Sequence, residues 1–112
     1  MPLIPIVMHN VLDYLVGVVL LFAPHLLGLP AGLAAYTMQA VGGATIIVSL
    51  LTAYRFSIVR LVPFQIHLLL DVLLGVVLLL VAFASREQPG SWVPLLGAGI
   101  VYIAVPILSR RR

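Results

Sequence analysis

From Tyr14 to Tyr54 the chain carries no charged residue as long as His25 is neutral. A transmembrane helix needs about 20 consecutive apolar residues, so this run is long enough for two. Pro24, Gly28, Pro30 and Gly32 cluster near its middle, and Pro and Gly are the strongest turn-forming punctuation. The pattern predicts a first helix over residues 7–27 and a second over 34–54. Tyr54, Arg55, Ser57 and Arg60 then form a polar connection. A third helix is expected over residues 64–84, and a polar turn containing Arg86, Glu87, Pro89 and Gly90 follows it. A fourth helix is expected over residues 92–108, with Pro94 at its start, where proline is tolerated, and Pro106 placed to kink it.

Charged residues make up 8% of the chain and hydrophobic ones 63%, with a mean hydropathy of +1.27. A soluble domain carries about 25% charged residues because its surface faces water. The surface of this chain is therefore expected to face hydrocarbon. In lipid every backbone N–H and C=O must bond internally, which leaves helices or a closed barrel. A barrel needs alternating polarity along many strands, and the continuous Leu/Val runs lack it. The predicted fold is all-α, a membrane four-helix bundle. The first residues, Met1 to Met8, have no basic segment and no small-residue cleavage site, so the first apolar segment reads as a permanent span and not a signal peptide.

There is no cysteine, and the net charge of +3 comes from six arginines without a lysine. Thiol chemistry and iron–sulfur clusters are excluded, and the charge is too sparse for a nucleic-acid footprint. Four spans put Arg55, Arg60, Arg110, Arg111 and Arg112 on one side, against Arg86 beside Glu87 on the other. The excess of basic residues on cytoplasmic loops then places both termini in the cytoplasm. The all-arginine usage points to a GC-rich bacterial genome, and with the four spans the expected location is a bacterial inner membrane. Arg110, Arg111 and Arg112 read as a lipid anchor at the anionic cytoplasmic surface. Trp92 and Tyr54 fall at predicted helix ends, as interfacial aromatics do.

The stretch from Leu3 to Leu21 matches that from Leu61 to Leu79 at a fixed offset of 58 residues (His9 to His67). Shared leucines mean little in two membrane helices. The shared Pro5/Pro63, His9/His67, Asp13/Asp71 and Gly17/Gly75 mean more, because they repeat the pattern P-x3-H-x3-D-x3-G in a chain poor in such residues. The remaining halves match more weakly, around Gly42-Gly43 and Gly97-Ala98-Gly99. The chain thus divides into a two-helix unit over residues 1–56 and a second over 57–112, within one membrane domain. An even number of helices per unit makes the two repeats parallel, related by an axis along the membrane normal.

This pattern resembles the SPW-repeat family of small bacterial membrane proteins, whose two-helix repeat carries H-x3-D-x3-G before a Ser-Pro-Trp-like motif near the helix end. In the first copy Ala23-Pro24-His25 stands at that motif and Gly28 follows; in the second, Val81-Ala82-Phe83 takes its place. The resemblance covers nearly the whole chain and implies architecture. It implies no biochemical activity.

His9 with Asp13, and His67 with Asp71, sit at i, i+4 and so share one helix face. Gly17 and Gly75 continue each stripe by a turn, where a small residue lets a neighbouring helix approach. Gly42, Gly43, Gly97 and Gly99 read the same way, as close helix packing. An ionisable residue inside a span is a functional-site candidate by default. Three roles are open to the four residues: a polar clasp between the repeats, a proton-handling network, or a ligand site. In the last, His9 and His67 hold a haem axially or the full set binds a divalent metal. The clasp demands least, and it implies no cofactor and no dedicated metal site. His25 reads as an interfacial residue. No nucleophile–base–orienter set is present, which leaves a non-enzymatic protein. With loops too short to build a soluble site, the expected role is a structural or accessory subunit beside other membrane proteins in the bilayer.

Overall fold

The computed structural model describes residues 5–52 and 61–109, apart from the side chains of Ile6 and Pro89. Arg55, Arg60, Arg110, Arg111 and Arg112, the expected orientation signal and lipid anchor, lie outside the described residues, as does Tyr54. Four helices account for most of what is described: α1 (Ile6–Leu26), α2 (Leu33–Leu51), α3 (Phe64–Ala84) and α4 (Pro89–Leu108). Each has 19 to 21 residues. At 1.5 Å per residue that is about 30 Å, the thickness of a hydrocarbon core.

The repeated proline explains where α1 and α3 begin. Pro5 and Pro63 hold nearly the same extended geometry, with φ near −62° and −61°. Their carbonyls accept the amide hydrogens of His9 and His67 at 2.9 and 3.1 Å. Proline has no N–H to lose at this position, and its carbonyl closes the first turn. The P-x3-H spacing is therefore the spacing of one helical hydrogen bond.

The other ends of these two helices differ. After α1, Gly28 adopts φ +66°, which favours glycine. Gly28 N–H then reaches His25 O at 3.3 Å, and Leu29 N–H reaches Pro24 O at 2.9 Å, the paired bonds of a Schellman cap. At the end of α3, Ala82 and Arg86 occupy the matching places, and Ser85 stops the helix with a hydrogen bond to Val81 O. α2 ends at Leu51, short of the expected residue 54, because Thr52 turns extended and Leu51 O is taken by the amides of Leu61 and Val62, both at 2.8 Å. α4 begins at Pro89, one turn before the expected start, so Pro94 lies within the helix and not at its entrance.

Burial is inverted relative to a soluble protein. Val11, Leu15, Val18 and Phe22 of α1, and Leu69, Leu73, Leu80 and Phe83 of α3, face outward, while His9, Asp13, Thr45, Ser49, His67 and Asp71 are buried. The apolar part of the core gathers Leu20, Met38, Val41, Leu78, Leu95 and Tyr102. These four apolar helices are long enough to cross a membrane, and the chain is an all-α, multi-pass membrane protein by length and composition.

Each repeat is a tight hairpin, α1 on α2 and α3 on α4, and the hairpins meet mainly where α2 lies against α3 and α4. Glycine sets both hairpin contacts. A Cβ on Gly42 would stand 2.7 Å from Gly17 O and 2.7 Å from Leu21 N; one on Gly99 would stand 2.7 Å from the Leu79 side chain and 3.1 Å from Gly75 O. Gly43 and Gly97, also expected to pack, do not: a Cβ at either meets nothing within 4 Å. Successive helical positions turn by 100°, so only one glycine of each neighbouring set can face the partner. Gly97 instead lines an apolar groove of about 440 Å³ between α1 and α4, with Leu15, Val19, Leu27, Pro94 and Val101.

Gly42→Ala should therefore destabilise the bundle by about 1–3 kcal/mol through forced overpacking, whereas Gly43→Ala should be neutral or slightly stabilising. Unfolding by sodium dodecyl sulfate in mixed micelles, followed by the single Trp92, measures both. Equal sensitivity at the two positions would contradict this packing.

Candidate functional site

Asp13 and Asp71 each lie at the start of the third turn of a helix whose first amide bonds are set by Pro5 and Pro63. The equal start of α1 and α3 thus puts both His–Asp pairs at the same depth. The two-fold arrangement of the hairpins turns these pairs toward each other. His9 and His67 are wholly buried, and Asp13 and Asp71 nearly so, at 7% and 4% exposure.

The reactive atoms form a ring in which nitrogen and oxygen alternate. His9 Nε2 lies 3.1 Å from Asp13 Oδ2 and 3.1 Å from Asp71 Oδ2. His67 Nε2 lies 2.7 Å from Asp13 Oδ2 and 3.3 Å from Asp71 Oδ2. The approach of His9 to Asp71 has hydrogen-bond geometry, and the other three are ion-pair approaches. The contacts between repeats are as short as those within a repeat or shorter. Each histidine is therefore shared by both carboxylates.

The opposite ring nitrogens are held just as symmetrically. His9 Nδ1 is 2.6 Å from Ser109 Oγ, and His67 Nδ1 is 2.8 Å from Thr52 Oγ1. Ser109 and Thr52 are the C-caps of α4 and α2, with almost equal extended geometry. Their hydroxyls donate to Val105 O at 2.5 Å and Val48 O at 2.6 Å. A hydroxyl has one proton to give. With that proton committed to a carbonyl, each hydroxyl accepts from the imidazole, so Nδ1 carries hydrogen and Nε2 faces the carboxylates. Thr52 belongs to the same repeat hairpin as His9, yet it serves His67; Ser109 serves His9 in return.

Further up the bundle, Thr45 and Tyr102 repeat this logic across the pseudo-two-fold axis. Thr45 Oγ1 donates to Val41 O at 2.8 Å and accepts from the Tyr102 hydroxyl at 2.6 Å. Tyr102 is thus a packing residue. Phe64 closes the outer end of the ring, edge-on to His9 with centroids 5.3 Å apart and stacked near His67.

All four residues singled out in the sequence, His9, Asp13, His67 and Asp71, are brought together. Thr52, Ser109 and Phe64 were not foreseen in this role. Their only sequence signal is position: a hydroxyl residue closing each of α2 and α4, and an aromatic residue just after Pro63. Asn10 was missed as well; it is wholly buried, and its amide finds no hydrogen-bond partner among the described residues. The matching position in the second repeat is Leu68. His25 is exposed and lies 3.4 Å from Gln39, away from the ring. A small cavity of about 20 Å³ touches the carboxylate side of the ring, between Asp13, Asp71, Tyr102 and Pro106.

The fold and site define a four-span membrane protein made of two hairpin repeats around a buried His–Asp ring. No protein-family model, no characterised protein and no solved structure matches the chain.

Removing one hydroxyl strands a buried imidazole N–H, which costs about 1–3 kcal/mol. Thr52→Val and Ser109→Ala should each lower stability by that amount, while Thr52→Ser, which keeps the acceptor, should not. Detergent unfolding curves of the three variants check this; an unaffected Thr52→Val would remove the hydroxyl from the network.

Proposed function

We propose that the chain is a non-enzymatic structural or accessory subunit of a larger assembly in a bacterial cytoplasmic membrane. In this reading the His–Asp ring locks the two repeats into one rigid unit. A relationship to the SPW-repeat proteins agrees with that role, since they too combine a two-helix repeat with an H-x3-D-x3-G stripe. The observation that carries it is the uneven contact between repeats. The hairpins come together mainly where α2 lies against α3 and α4, and α1 meets the second hairpin through the ring, while the apolar groove between α1 and α4 stays open to the membrane. A bundle rigid at one end and unfilled along one side suits a partner's transmembrane helix better than a freestanding transporter. The connections described, residues 27–32 and 85–88, are too short to shape a soluble catalytic site.

Extraction in a mild detergent or a polymer nanodisc, followed by native mass spectrometry, should recover the chain with one or more other membrane proteins. Recovery of the chain alone, or only with copies of itself, argues against the accessory role. The proposed orientation is tested separately, because the chain has no cysteine. A cysteine at Glu87 should react with a membrane-impermeant maleimide in intact cells, and one at Ser57 only after permeabilisation. The reverse pattern would invert the topology.

A further inference from the structure

We propose that His9, Asp13, His67 and Asp71 form a binding site for one divalent transition-metal ion. Thr52 and Ser109 act as the outer hydrogen-bond partners of its two imidazole ligands. This goes beyond the subunit role, which the ring can serve through its own polar contacts.

Distance is the first argument. One donor atom from each of the four residues lies within 4.8 Å of every other. Four atoms with neighbouring separations of 2.7 to 3.3 Å surround a common centre at close to the distance, about 2.0–2.2 Å, at which imidazole nitrogen and carboxylate oxygen bind such metals. An ion at that centre needs little rearrangement of the helices. A porphyrin does not fit there, since the two carboxylates occupy the plane between the imidazoles and the adjoining cavity measures about 20 Å³.

The second argument is the state of the imidazoles. The Ser109 and Thr52 hydroxyls hold Nδ1 as a donor, so that when a dication displaces the proton between Nε2 and the carboxylates, Nε2 is the atom that offers its lone pair. A metal-bound histidine almost always gives its second N–H to an oxygen acceptor in this way. Two independent helix ends supply the same partner, so the arrangement is not the accident of one side chain.

The third argument is charge. Two carboxylates in a hydrocarbon environment must be neutralised, and one dication does so with both imidazoles uncharged. The ligand set also selects the class of ion. Imidazole favours the zinc-like transition metals, whereas calcium needs six to eight oxygen ligands and magnesium a nearly octahedral shell. The 20 Å³ cavity beside both carboxylates is large enough for one water, which would serve as a fifth ligand.

The test uses the full chain without a polyhistidine tag, in detergent, stripped with a chelator and then dialysed against Zn²⁺ or Co²⁺. Mass spectrometry of metal content should find one ion per chain. X-ray absorption at the metal edge should show only nitrogen and oxygen neighbours at about 2.0–2.2 Å. His25→Ala should leave the stoichiometry at one. Ser109→Ala and Thr52→Val should weaken binding about 10–100-fold without abolishing it, and the Asp13→Asn/Asp71→Asn double variant should abolish it. Less than a tenth of an ion per wild-type chain, or equal binding by that double variant, overturns the proposal. Ca²⁺ or Mg²⁺ competing as well as Zn²⁺ overturns it too. Ring substitutions that destabilise a chain binding no metal would leave the clasp standing and remove only the metal.

Discussion

Two histidines and two aspartates placed in hydrocarbon must satisfy one another, because no water is there to do it. An ionisable group inside a span costs several kcal/mol unless it is paired. In this chain the pairing is shared: each imidazole faces both carboxylates, and the closest approach, 2.7 Å between His67 and Asp13, joins different repeats. Separating the hairpins would leave each pair half-solvated by protein and half by lipid. The position of α1 against α3 follows from this, and so do the placements of Thr52 and Ser109, whose hydroxyls must meet the outward-facing Nδ1 atoms.

The bundle uses different physics at its two levels of assembly. Within a hairpin the helices meet by close backbone approach at Gly17 with Gly42 and at Gly75 with Gly99, since lipid offers no hydrophobic drive to bring apolar helices together. Between hairpins the shared apolar core is joined by polar contacts, namely the ring at one end and the Thr45–Tyr102 hydrogen bond further in. Van der Waals packing alone tolerates small rotations, but alternating N and O atoms at about 3 Å do not. The polar layer thus fixes the register of two units that are each held together by shape.

Comparison of the two copies shows which features are common architecture. Both retain the proline start, the His–Asp ring members, the facing glycines and a hydroxyl C-cap. They differ in Pro24-His25 and the left-handed Gly28, which have no counterpart at Ala82, Phe83 and Arg86, and in Asn10, which faces no counterpart because Leu68 stands there. The shared features set the start, packing and hydrogen-bond partners of the helices that build the ring, so the ring belongs to the architecture common to both copies. Charge balance is met by two protons shared within the ring or by one dication in it, with the same helices around it.

The sequence by itself determined the four spans, their division into two repeats, and the fact that each His shares a helix face with an Asp. Span length and i, i+4 spacing are local consequences of helical geometry, so they need no knowledge of neighbours. The P-x3-H spacing was equally local, being one turn of hydrogen bonding. Tertiary structure alone decided that the two pairs interlock and that Thr52 and Ser109 hold the imidazoles. It also decided that Gly42 and Gly99 carry the close contacts while Gly43 and Gly97 carry none. These depend on which side of one helix meets another, a rotation that a uniformly apolar helix does not encode in its hydropathy. The end of α2 is tertiary as well: Leu51 O is taken by the amides of Leu61 and Val62, and Thr52, turned extended there, meets His67 fifteen residues away.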